Sequence, residues 1–169
     1  LLERALQRQP QAELAIALSH AQLQVDRADT DGALNTLQAM HERHPHSVQV
    51  LRQLQRLHQQ RGDWTALIRL LPELRKDKVL PAKELAELES RAWGQNLNLA
   101  AQRETEGEAA LQSLQRAWQQ LTSAQRQEPA LVLAYAEQLR QLGAQGEAEE
   151  VLRGALKRSY DSHLVRLYG

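Results

Sequence analysis

The sequence predicts an all-α fold, an α-solenoid of repeated helix-turn-helix hairpins, and three observations carry that prediction. Leu, Ala, Gln, Arg and Glu dominate, Ile, Val and Thr are scarce, and Phe is absent. Straight-chain residues lose little rotamer freedom in a helix, whereas β-branched residues are the usual strand formers. The block Asp29-Thr30-Asp31-Gly32-Ala33-Leu34 returns as Asp63-Trp64-Thr65-Ala66-Leu67-Ile68, a spacing of 34 residues, and Leu37 maps onto Leu71 under the same shift. Prolines punctuate the chain at a matching interval, Pro10 and Pro45 each expected to close the helix before it.

The elements follow in order as one repeat domain spanning 1–169. Residues 1–10 read as the second helix of a partial repeat, with Leu2 and Ala5 at packing positions. Residues 12–45 make a full repeat, its first helix carrying Leu14, Leu18, Ala21 and Val25 and its second Ala33, Leu37 and Met40. Residues 46–76 repeat the pattern with Leu51, Leu54 and Leu57, then Trp64, Leu67 and Leu71; Pro72 falls near the middle of that second helix. Lys76 to Pro81 reads as a linker. Residues 82–121 form a degenerate, enlarged repeat: one long helix from Ala82 to about Gln102, a polar break at 103–107, and a partner helix from Glu108 to Leu121. Residues 129–160 close the series, with Val132, Ala136 and Leu139 on one helix, Gly143 and Gly146 in the turn, and Ala148, Leu152 and Ala155 on the other. Asp161 to Gly169 is one more helical turn or the start of a cap.

A unit of this length, helix, short turn and helix ending at Pro, resembles the tetratricopeptide (TPR) repeat. In such arrays small residues let antiparallel helices approach, and neighbouring hairpins bury the remaining apolar face. TPR arrays are binding scaffolds, and the first helices of successive hairpins line their concave surface. The inward positions are then Gln22, Asp26, Gln49, Arg52, Arg56, Gln59, Glu137 and Arg140. Arg52 and Arg56 stand i,i+4 on one face, spaced to clamp a carboxylate of a partner chain or a porphyrin propionate, against the plainer reading of a solvated face.

Composition narrows the function classes. Lys plus Arg equals Asp plus Glu at 21 each, and no block of like charge exists, so no field draws the chain to nucleic acid or to an anionic membrane. With no cysteine, disulfides, thiolate zinc sites and Cys nucleophiles are excluded together. No apolar run is long enough to span a bilayer. The chain opens inside an amphipathic helix at Leu1 to Leu6 without a Met or an N-cap, so a membrane or targeting segment is expected upstream. An exposed apolar patch is expected at Leu2 and Leu6. The carboxylates sit on polar faces or, like Asp29, Asp31 and Asp63, at caps and turns, and no serine has a nucleophile-elbow context. Gly143-Ala144-Gln145-Gly146 lacks the preceding strand of a phosphate cradle. No catalytic residue and no cofactor are expected, and the three tryptophans suit core packing.

One polar cluster stands out, His41-Glu42-Arg43-His44-Pro45-His46. His41, His44 and His46 within a turn offer metal or axial haem ligation, against the plainer reading of imidazoles at the negative end of a helix dipole.

Two stretches carry a narrower resemblance. Leu71-Pro72-Glu73-Leu74-Arg75-Lys76-Asp77-Lys78-Val79-Leu80 with Leu88-Glu89-Ser90-Arg91-Ala92-Trp93, and the ending Leu156-Lys157-Arg158-Ser159-Tyr160-Asp161 with Leu164 and Arg166-Leu167-Tyr168-Gly169, resemble the HemY family. That resemblance implies a bacterial inner-membrane protein associated with haem (porphyrin) biosynthesis, with two N-terminal transmembrane helices and a C-terminal TPR domain. Basic residues after the second membrane helix of the family imply a cytoplasmic side for this domain. The implied role is a protein-interaction scaffold whose partners are haem-biosynthesis enzymes; a direct haem carrier using the histidines, and a TPR adaptor unrelated to haem, are the alternatives. The resemblance supplies no catalytic residues.

Overall fold

One recurring turn sets the helix ends of this chain. The computed structural model describes the backbone at residues 2–103 and 107–168, and the side chains at 9–103, 107–163 and 165–167. Within these it contains α1 (Leu2–Asp26), α2 (Thr30–Arg43), α3 (Val48–Arg61), α4 (Trp64–Lys76), α5 (Ala82–Gln102), α6 (Gly107–Gln119), a 3-10 turn (Gln125–Gln127), α7 (Pro129–Gln141) and α8 (Gln145–Tyr168), with no strand among the described residues. After α1, α3, α4 and α7 a residue enters the left-handed region: Ala28 (φ 61°), Gly62 (φ 67°), Lys78 (φ 51°) and Gly143 (φ 84°). Each time the following N–H reaches back five residues, Asp29 to the Gln24 carbonyl (2.8 Å), Asp63 to His58 (2.9 Å), Val79 to Leu74 (3.1 Å) and Ala144 to Leu139 (2.9 Å). This is the Schellman closure, which satisfies carbonyls that the helix leaves orphaned.

In the first two hairpins the residue that closes one helix also starts the next. Asp29 accepts from the Gly32 N–H at 3.0 Å and Asp63 from the Ala66 N–H at 3.1 Å. The pair lies 34 residues apart, so the sequence period is a period of turn and cap. Ser47 caps α3 from its own side chain onto the Val50 N–H at 3.4 Å. A cap of this kind contributes about 1 kcal/mol.

The chain divides into two compact units, Leu1–Leu85 and Ala86–Gly169. In the first, α1 packs on α2, α2 on α3 and α3 on α4, neighbour to neighbour. Ala21 of α1 and Ala33 of α2 are wholly buried, and Leu37, Leu51, Leu54, Leu57, Leu67 and Leu71 build the core as their spacing predicts. Thr36 donates to the Gln24 side chain at 2.7 Å, joining α2 to α1. Arg61 pairs with Asp31 at 2.7 Å and Arg43 with Glu13, so the same kind of ion pair links α3 to α2 and α2 to α1. In the second unit Leu97, Leu114, Leu131, Tyr135, Ala136, Leu139 and Ala148 form one core, with Trp93 and Trp118 packed partly buried against it. Trp118 stacks on Tyr135 with ring centroids 4.3 Å apart. The Tyr135 hydroxyl donates to Glu147, which also accepts from Gln115 at 3.0 Å.

Two expectations are corrected. Pro10 does not close a helix: α1 runs unbroken through it to Asp26. An interior Pro removes one hydrogen bond at a cost of about 3 kcal/mol, yet the apolar series Leu14, Leu18, Ala21 and Val25 carries the helix on. Pro72 lies inside α4, as its place in the sequence indicates, and is exposed. Gly146 belongs to α8 rather than to the turn, which needs only Gly143; α8 then continues to Tyr168 without a separate final turn. The expected patch at Leu2 and Leu6, and most of the polar break at 103–107, lie outside the described side chains.

Candidate interaction surfaces

The eight residues expected on a concave face do not behave alike. Six lie in the first unit and two in the second. Gln22 donates to Asp26 at 2.9 Å on the exposed side of α1, so these two satisfy each other. In α3, Gln49, Arg52 and Arg56 are exposed, while Gln59 accepts from the buried Gln55 at 2.7 Å. Arg52 is not a free member of an arginine pair. Its Nη2 donates to the Val79 carbonyl at 2.9 Å, which ties α3 to the linker after α4. Arg56 keeps its guanidinium exposed one turn further on.

Glu137 and Arg140 in α7 pair at 2.6 Å, and Gln141 adds a bond to the same carboxylate at 3.1 Å. The hydrogen bonds from Arg140 and then Gln141 hold the Glu137 carboxyl below the usual carboxylate range, and the same partnership raises Arg140.

The histidines separate. His41 reaches Glu73 of α4 at 2.9 Å, and His46 reaches Asp77 at 3.2 Å. His44 follows α2 as its C-cap, and its Nε2 is buried without a partner, as is Nδ1 of His41. Among the described residues no group of three His, Cys, Asp or Glu is arranged to hold a metal. The three imidazoles therefore do not converge, because two carboxylates take two of the rings to different places. Their spacing on one turn had left convergence open; Glu73 of α4 and Asp77, its C-cap, were the missed partners. His58 was missed as well. It lies buried in α3 with Nδ1 unpartnered, and burial pushes its pKa down, opposed by the charge of Asp63 and reinforced by Arg61.

A further feature not foreseen lies between α7 and α8. A groove of about 620 Å³ runs along the two helices, and a second recess of about 250 Å³ shares Leu133 and Leu152 with it. Glu137 and Arg140 line that recess. Leu152, expected to pack in the hairpin, is 36% exposed, and Leu133 and Leu156 are 61% and 71% exposed. The signal for this in the sequence was that Leu133 stands off the stripe of Val132, Ala136 and Leu139 that marks the packed face of α7.

Among the described residues no helix is long and apolar enough to cross a membrane. No family model and no solved structure matches the chain. Over 164 residues it is 24% identical to Protein HemY of Escherichia coli strain K12, and equally to Protein HemY of Shigella flexneri. The aligned region takes in 97% of this chain and 40% of each of those proteins. The chain is thus similar, along nearly its whole length, to a part of HemY proteins.

Proposed function

We propose that this chain is a non-catalytic, TPR-type protein-interaction scaffold within a HemY-like inner-membrane protein, working on the cytoplasmic side and gathering enzymes of haem biosynthesis. The observation that carries the reading is the repeated unit itself. Helices pack neighbour to neighbour, joined by the same left-handed turn and Asp cap at Ala28-Asp29 and Gly62-Asp63. Stacking of such units leaves helix faces open along the array, which is how repeat proteins build binding surfaces. The similarity to HemY proteins along the chain supports the link to haem synthesis and to a membrane anchor outside this segment. Charges balance at 21 of each sign, so the chain itself is expected to stay in the supernatant with anionic vesicles even at low salt.

Crosslinking and pull-down of the full-length protein from native membranes tests the scaffold role, with enzymes of tetrapyrrole synthesis as the expected catch. A reporter fused after Gly169 that is active only in the periplasm would overturn the cytoplasmic assignment and the proposed partners with it. A Soret shift on titrating haem into the chain would favour a haem carrier instead.

A further inference from the structure

We propose that the α7–α8 groove is the docking site for an acidic amphipathic helix of a partner protein. The proposal rests on the scaffold reading and gives it a place and a ligand chemistry. Leu133 on α7 and Leu152 and Leu156 on α8 present apolar side chains to solvent that no described element covers. Pro129 and Leu133 on α7 stand i,i+4, as do Leu152 and Leu156 on α8, with the buried Val132 in the floor between them. Two such ridges side by side form a trough into which the ridge of a third helix fits. Along α7 the trough is about 20 Å long, the length of roughly 13 helical residues.

Charge selects the occupant. Among the described residues around the larger groove the ionisable side chains are Arg158, His163 and Arg166, with no carboxylate in its lining. At the opposite end, by the α7–α8 turn, Arg140 is already paired with Glu137, and Glu149 adds an acid. The trough is therefore cationic at one end only. A helix with carboxylates in its first turns, favoured there by its own dipole, fits with its N-terminus beside Arg158 and Arg166 and runs antiparallel to α8. A second copy docked in parallel would set Arg158 and Arg166 against themselves, while one docked antiparallel would set them near Arg140, already paired with Glu137, leaving only Glu149 as a free acid.

The probe is a fluorescein-labelled helical peptide of about 15 residues, with a leucine stripe and glutamates in its first two turns. Two controls carry glutamine or lysine at the glutamate positions. Anisotropy titrations on the 169-residue chain should show the glutamate peptide binding about fivefold tighter than the glutamine one, and the lysine peptide weakest. Leu156→Glu should weaken binding by at least about tenfold, with an unchanged far-UV spectrum and melting temperature, because Leu156 is exposed. Arg158→Glu with Arg166→Glu should reverse the preference toward the lysine peptide. No binding of any peptide, equal binding of all three, or binding indifferent to Leu156→Glu would overturn the proposal. So would dimerisation that Leu156→Glu abolishes, which would assign the face to a second copy. Sedimentation with phosphatidylglycerol vesicles lost in Leu156→Glu would assign it to a membrane surface. Peptide binding that vanishes in the full-length protein would mean an intramolecular helix covers the groove. Partner capture by the full-length protein that survives Leu156→Glu would remove this face while leaving the scaffold reading intact; absence of any captured partner would remove the scaffold reading itself.

Discussion

Replacing Ala28 by Gly should stabilise this chain, the reverse of what an Ala-to-Gly change does inside a helix. Ala28 holds φ 61° at the turn between α1 and α2, where its counterpart one period on is Gly62 at φ 67°. The left-handed conformation costs an L-residue roughly 1–2 kcal/mol through Cβ crowding, while Gly loses roughly 0.5–1 kcal/mol more conformational entropy on folding. The difference is a gain of about 0.5–1 kcal/mol. The Ala28 methyl is exposed, so its removal forfeits no buried surface. Gly62→Ala is the reciprocal experiment. A Cβ there would meet only Trp64 Nε1 at 3.8 Å, an ordinary contact, so the cost is conformational and of the same size with opposite sign. Melts and urea titrations followed by far-UV circular dichroism should separate the two variants from the parent by about 1–4 °C in opposite directions. A destabilised Ala28→Gly, or a neutral Gly62→Ala, would refute the claim that the two turns share one left-handed closure.

Three further outcomes follow from the side-chain geometry. His58 is neutral and buried in the native chain but takes up a proton at its ordinary pKa near 6.5 when unfolded; the unfolded state then binds more protons, so stability is kept above that pH and lost as pH falls through the lowered native value. His58→Gln should melt with a smaller loss between neutral and mildly acidic pH than the parent, and an identical loss would exclude His58 as its source. Arg52→Ala should cost about 1 kcal/mol through the lost bond to Val79, while Arg56→Ala should stay within about 0.5 kcal/mol; equal effects in urea titration would contradict the tie seen between α3 and the linker. The Tyr135 phenol, raised by burial first and then by the charge and hydrogen bond of Glu147, should ionise only well above the ordinary phenol value of 10.0. A spectrophotometric titration in which Tyr135→Phe removes absorbance change near that ordinary value would contradict this.

Much of the candidate surface was legible only as a list of residues. Gln22, Asp26, Arg52, Glu137 and Arg140 have helical spacing, but four of the five satisfy a partner on their own helix and Arg52 reaches a distant backbone carbonyl. Helical phase says which way a side chain leaves its helix, not what waits there. The imidazoles at His41 and His46 show the same limit, since their partners lie 32 and 31 residues further along the chain.

What the sequence by itself determined is what is decided within a turn or two of chain. The caps at Asp29 and Asp63 and the bounds of α5 and α7 all depend on neighbours a few residues away, and all are readable as spacing. The left-handed turn was readable at Gly62, where the residue type announces it, and hidden at Ala28, where only the 34-residue shift points to it. The tertiary structure alone decided the rest: that α1 passes through Pro10, that the histidines divide between Glu73 and Asp77, and that Leu133, Leu152 and Leu156 flank an open groove. The physical reason is that burial and pairing belong to helices brought together from distant parts of the chain, and a leucine carries no local mark of whether a neighbouring helix will cover it.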